Sequence, residues 1–240
     1  MPRLKRVASG PSPTSQEPAV KLATRTSPTA RVSKSPDRIT ALGHHVEHRL
    51  RSELPSILHY HGPHHTLEDV IPAVERLCQE ERVPPKNREL LLAAAMFHDI
   101  GFLESYNGNE PIGARIAGET LPKFGFSSSE ISKVRALILA TEMKEVDGVW
   151  RQVPENDLLK RILCDADLDN LGRDDFFAIS DNLRQELLEQ GKVFSELEWL
   201  TRQILFVSQQ DWFTASQRRD RQAGKEKNLA SLRRQLAVFL

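Results

Sequence analysis

The stretch Glu89 to Gly101, ELLLAAAMFHDIG, is the densest apolar run of the chain, and it ends on two ionisable residues, His98 and Asp99. Apolar residues on nearly every face predict a central helix buried on most sides. Withdrawing a histidine and an aspartate from water at the end of such a helix is costly unless something pairs with them. Neighbours inside a helix point about 100° apart, so these two side chains converge only where the helix unwinds. Gly101 supplies that release, since glycine tolerates the left-handed conformation that closes helices. A metal ion is the simplest common partner for a buried imidazole and carboxylate. Taken alone, a His-Asp dipeptide is more often satisfied by backbone within a core, so ligands elsewhere in the chain must decide.

The flanking segments read as helices. Asp37 is placed to cap a helix running to about Ser52, on which His44, His45, Glu47 and His48 spell H-x-x-E-H; beside a polar tail this pattern reads as a solvated face rather than a protease site. Gly62-Pro63 forces a turn, and Thr66 with Asp69 fits the cap of a new helix whose apolar face is Leu67, Val70, Ile71, Val74, Leu77 and Cys78. His65 therefore sits at the mouth of that helix. Beyond Gly101, Pro111 suits a first helical turn, Pro122 and Gly125 end that helix, and Ser127 to Ser129 cap the next. Asp147-Gly148 opens a loop, and a helix then runs through LLKRILCDADLDNLGRDD, where Asp165, Asp167 and Asp169 repel one another unless a cation or solvent compensates. Two or three amphipathic helices follow from Phe176. No segment alternates with the two-residue period of a half-buried strand, so the fold is expected to be all-α.

Charge is unevenly distributed along the 240 residues: positions 1 to 40 hold eight Lys or Arg against two acids, a surplus of six that the rest of the chain cancels to a net charge of zero. A mildly acidic body argues against a stable nucleic-acid complex. Residues 1 to 36, rich in Pro, Ser, Thr and Arg without hydrophobic periodicity, are expected to be a disordered basic tail; an organelle-targeting segment is the competing reading. No apolar stretch has the roughly eighteen residues of a membrane span, so no membrane partner is expected. Cys78 and Cys164 read as reduced core thiols, pointing to a cytoplasmic location.

His65, the pair His98 and Asp99, and an aspartate of the DAD run give four ligands from three helices, a set that suits Mn, Fe, Co, Ni or Zn and also admits Mg. In YHGPHHTLEDV, LLLAAAMFHDIGF, GNEPIGARIAGETLPKFGFSSSEI and ILCDADLDNLG, the order H…HD…D resembles the HD-domain superfamily of metal-dependent phosphohydrolases over roughly residues 50 to 190. The resemblance implies an all-α helical bundle, the HD domain spanning residues 37 to 240 with a C-terminal helical extension, whose central buried helix ends in the His-Asp pair. It implies one divalent metal on His65, His98, Asp99 and Asp167, with Asp165 as the alternative fourth ligand, and hydrolysis of a small phosphate ester, a nucleotide among the candidates, by a metal-activated water. Residues two apart on a helix diverge by about 200°, so Asp165 and Asp167 are not expected to share one ion.

Around that centre, His61 and His64 in the HGPHH turn and Glu104 are candidates for contact with phosphate or for acid-base work. Arg173, Lys225 and Lys227 are candidates for holding phosphate charge. Relatives with a second metal carry further histidines after the HD helix; this chain has Asn109 and Thr141 in those regions and no histidine after His98, which argues against a two-metal site and against oxygenase chemistry. The alternative from another class is a catalytically silent metal-binding HD module acting as a sensor or interaction domain. Substrate, metal identity and oligomeric state are left open by the residues themselves.

Overall fold

A computed structural model describes residues 37–239, so the expected tail over residues 1–36 lies outside the described residues. Asp37 caps α1 (Arg38–Glu53), accepting from the Thr40 amide, and Leu42, Val46 and Leu50 bury one stripe of that helix. His44, His45 and His48 lie on its exposed side. The expected cap at Thr66 is not what forms. A single π-helical turn, His65–Val70, opens directly into α2 (Ile71–Glu80), and His64 before it is already helical. Thr66 is buried inside this turn, where its carbonyl accepts from the Ile71 amide.

Pro84 is extended and Pro85 takes the first position of α3 (Pro85–Phe97), as suits a residue that lacks an amide hydrogen. Every residue from Leu90 to Phe97 is buried, with α1, α2, α5 and α6 packed around the helix. α4 (Asn109–Thr120) starts after Gly108 at φ 66°, and α5 (Ser128–Ile138) starts from a capping box between Ser127 and Glu130.

Glu130 also accepts from Arg38 at 3.1 and 3.3 Å, tying the start of α1 to the start of α5. The hydrogen bonds from Arg38, and then those from the Ser127 amide and hydroxyl, hold its carboxyl down at about 2. An acid whose folded pKa lies below its unfolded one stabilises the fold above the unfolded pKa and loses that contribution as pH falls through the folded pKa. Glu130→Gln is therefore expected to cost about 2 kcal/mol at neutral pH. The deficit should shrink as pH falls from 4.5 towards 2, the interval between the ordinary and the folded value. Urea unfolding at pH 7 and near pH 2 checks this; an equal deficit at both would remove the charge from the explanation.

One element departs from the all-helical expectation. β1 (Lys144–Val146) and β2 (Val149–Arg151) form an antiparallel hairpin with Val146 opposite Val149. Asp147 and Gly148 have φ of 54° and 77°, the pair of left-handed residues that a tight hairpin turn demands. α6 (Leu158–Asp167) is also shorter than its apolar periodicity suggests. It stops at Asp167, and a 3₁₀ turn, Asp169–Gly172, leads to α7 (Phe176–Glu189).

α8 (Glu196–Gln209) and α9 (Ala215–Leu236) complete the chain and build a second small core of Leu171, Phe176, Leu200, Val207, Trp212 and Leu232. α9 is fastened to the 3₁₀ turn by buried Asp169, which accepts from Arg76, Gln217 and Arg221 at 2.8–3.0 Å. Both cysteines are buried and free. No helix among the described residues is long and apolar enough to cross a membrane.

Candidate metal centre

Four side chains from three parts of the chain converge at the end of α3. The helix releases after Phe97, leaving His98 in helical backbone and Asp99 at φ −106°, ψ 2°, and the two side chains turn inwards together. His65 arrives from the π-helical turn and Asp167 from the last position of α6. One donor atom each from His65, His98 and Asp99 lies within 4.8 Å of the others. Asp167 Oδ1 is 3.1 Å from His65 Nε2 and 3.5 Å from His98 Nε2, and Asp99 Oδ2 is 3.6 and 3.2 Å from the same two nitrogens.

The surrounding bonds orient this set. His98 Nδ1 donates to the Ala95 carbonyl at 2.8 Å, which fixes the proton on that nitrogen and leaves the Nε2 lone pair facing the cluster. Asn109 Nδ2 donates to Asp99 Oδ1 at 3.2 Å, and Gln152 Nε2 donates to Asp167 Oδ2 at 2.6 Å. Each carboxylate is thus held through one oxygen and presents the other. His98 Nε2 and Asp99 Oδ2 are buried with no hydrogen-bond partner. Orphaned buried polar atoms are rare and call for an occupant.

Burial works against charge on Asp167 and Asp99, yet the imidazoles of His65 and His98 outweigh it and hold both carboxyls below the ordinary range. Two imidazole nitrogens and two carboxylate oxygens form a donor set of the hard-to-borderline type that takes a divalent transition metal, so the residues fit such an ion.

Asp165 points elsewhere. It accepts from the Phe213 amide at 2.9 Å and from the Thr214 amide and hydroxyl at 2.8 and 2.7 Å, anchoring the entry to α9. Burial pushes its carboxyl up to about 6 despite these donors. The divergence expected of residues two apart is what separates it from Asp167.

Asp99 and Asp167 lie in the wall of a cavity of about 240 Å³, bounded also by His61, Phe102, Glu110, Gln152, Phe176 and Phe206. His61 is held by a residue that sequence reasoning did not single out: fully buried Glu186 of α7 accepts from His61 Nδ1 at 2.5 Å, from the Tyr60 and His61 amides at 2.9 Å each, and from the Tyr106 hydroxyl at 2.9 Å. The His61 ring stacks on Phe102, with centroids 4.3 Å apart. Burial opposes charge on His61, but the bond to Glu186 and the nearby Asp99 and Asp167 outweigh it and raise its pKa above the ordinary range. Gln152 is likewise a residue only the hairpin reveals.

The other expected contacts lie away from the cavity wall. His64 is half-buried outside the cavity wall, and burial lowers its pKa. Glu104 is exposed and paired with Arg115. Arg173 is spent on Asp69 and Asp175, Lys227 on Asp174, and Lys225 is buried, donating to the Gln210 carbonyl with its ammonium 5.7 Å from the Trp212 ring centroid. Each basic group found an acid or carbonyl partner closer than the site. Asn109 and Thr141 both line the cavity, where Asn109 steadies Asp99 and the Thr141 carbonyl accepts from Gln152 at 3.0 Å.

Among known proteins, no family model and no curated protein matches the chain. A solved structure does: the crystal structure of a predicted HD superfamily hydrolase from an uncultured Thermotogales bacterium aligns with TM-score 0.55 at 16% identity, over 85% of this chain and 94% of that one. The chain therefore shares the helical fold of that structure, and its own His-Asp pair stands at the end of its central buried helix.

Proposed function

We propose that the protein is a metal-dependent phosphohydrolase that holds one divalent ion on His65, His98, Asp99 and Asp167 and cleaves a small phosphate ester. The observation that carries this reading is the convergence of four donor atoms, two of them buried and unpartnered, on the wall of a cavity large enough for a small molecule. When bound, such an ion supplies a water acidified from about 15.7 towards neutrality and positive charge against a phosphoryl oxygen. The chain's own part is positional. Asn109 and Gln152 keep one oxygen of each carboxylate turned inwards, and the Ala95 carbonyl keeps His98 in the ligating tautomer. His61 is the proton donor to the leaving oxygen: Glu186 holds its Nδ1 proton, and the bond to that carboxylate favours the charged ring.

The test is reconstitution. Chelator-stripped protein given Mn or Co should bind one ion per chain by elemental analysis and gain activity on a panel of phosphate esters. Asp99→Ala should lose both, with activity down at least about a thousandfold. Bound metal without any activity that depends on Asp99 would favour a silent metal-binding module instead, and two ions per chain would refute the mononuclear centre.

A further inference from the structure

We infer that the cavity beside the metal centre receives the organic part of the substrate as a flat, amino-bearing aromatic ring attached to a single phosphate, and that Glu110 selects the amino group. This rests on the phosphohydrolase reading only for the phosphate end. The ring end follows from the wall. Phe102, Phe176, Phe206 and Met143 give it wide apolar faces, the kind on which a planar ring stacks. The buried polar atoms of this wall that lack a partner are acceptors. Glu110, at the start of α4, lines the cavity half-buried and makes no hydrogen bond or ion pair with any described residue. Burial and the neighbouring Asp99, Glu142 and Asp167 push its carboxyl up against the lowering by its own backbone amide, so no other residue supplies it a donor.

Gln152, 2% exposed, adds a second such acceptor. Its Nε2 reaches the Thr141 carbonyl and Asp167, both of which only accept, so the amide orientation is fixed and Oε1 is left without a partner. Asn170 Oδ1, in the same wall, is also unpartnered. A ligand bearing N–H donors meets these atoms; one bearing only acceptors leaves them desolvated and unpaired, which is the larger penalty. No Lys or Arg among the described residues lines the cavity, so a chain of several phosphates would bring negative charge beside three carboxylates, Asp99, Glu110 and Asp167, with no side-chain cation to meet it. A single phosphate has the ion and His61.

Calorimetric binding of nucleosides to the full chain separates this inference from the hydrolase reading, because nucleosides carry no phosphate to cleave. Adenosine and purine riboside share ring and sugar and differ in the amino group alone. Adenosine should bind at least tenfold more tightly, and Glu110→Ala should bring the ratio below threefold. Should that variant fail to fold, a wild-type ratio that falls as pH drops and protonates Glu110 reads the same contact. Equal binding of the two nucleosides, no adenosine binding at millimolar concentration, tighter binding of choline phosphate than of adenosine 5′-phosphate, or tighter binding of the triphosphate than of the monophosphate would each overturn the inference. Loss of all phosphatase activity with the adenosine preference intact would instead strike the hydrolase reading.

Discussion

Gly101→Ala should lower the melting temperature by about 6–12 °C, the equivalent of roughly 3 kcal/mol in a chain of this size, and should abolish metal retention. A Cβ at position 101 falls 1.9 Å from the Asn109 carbonyl oxygen and 2.6 Å from its carbon. These are backbone atoms that cannot rotate aside, so the start of α4 must move as a body. Gly113, a turn further along α4, faces the Phe97 carbonyl at 2.7 Å in the same sense, so two glycines let this helix press against the end of α3. Moving α4 withdraws Asn109 from Asp99 and releases the carboxylate that completes the centre. Gly108→Ala is the control. That residue has φ 66° but open space around it, so only backbone strain of about 1 kcal/mol is incurred. Thermal melts and metal content of the two variants decide the matter; if they melt alike, close approach is not what Gly101 provides.

Asp169→Ala is expected to destabilise the fold by about 3–5 kcal/mol, because it leaves Arg76 and Arg221 facing each other around a buried position with their shared carboxylate gone. Asp169 is 4% exposed and accepts from both arginines and from Gln217, joining α2, the 3₁₀ turn and α9 at one point. Arg76 keeps Asp220 at 2.9 Å, which limits the loss; Arg221 pairs with no second acid among the described residues. Unfolding in urea gives the difference directly. Asp174→Ala, which removes the exposed partner of Lys227, should show no measurable change under the same conditions. A loss at Asp169 no larger than at Asp174 would mean that α9 is held by apolar packing alone.

The parts of this architecture that local chemistry controls could be read before any coordinates. Asp37 and Ser127 cap helices where their side chains can reach a free amide three residues on, and the Leu90–Phe97 run is buried because it has no polar face to expose. The convergence of His65, His98, Asp99 and Asp167 was legible through their joint order along the chain. What escaped were partners far apart in sequence. Glu186 meets His61 across 125 residues, and nothing in FFAISDNLRQELLE marks that glutamate apart from its neighbours. Gln152 was hidden by a missed hairpin, although Asp147-Gly148 between two valines is a strong turn signal that three-residue strands are too short to reinforce. The basic side chains are placed outside the cavity wall for a related reason: sequence shows that Arg173 is charged, and only folding shows that Asp69 and Asp175 pair with it.

The wide turn that carries His65 has a consequence for chain length. Its i-to-i+5 bond, Ile71 amide to Thr66 carbonyl, accommodates one residue more than an ordinary α-helical winding would hold. Winding the same residues as regular α-helix would swing the imidazole by about 100° out of register with Asp167, whereas removing one residue from 66 to 70 would restore regular winding with the ring kept in place. A relative one residue shorter there could keep its imidazole in register on a regular helix, while one of equal length wound regularly would keep every ligand letter and still have no place to seat an ion.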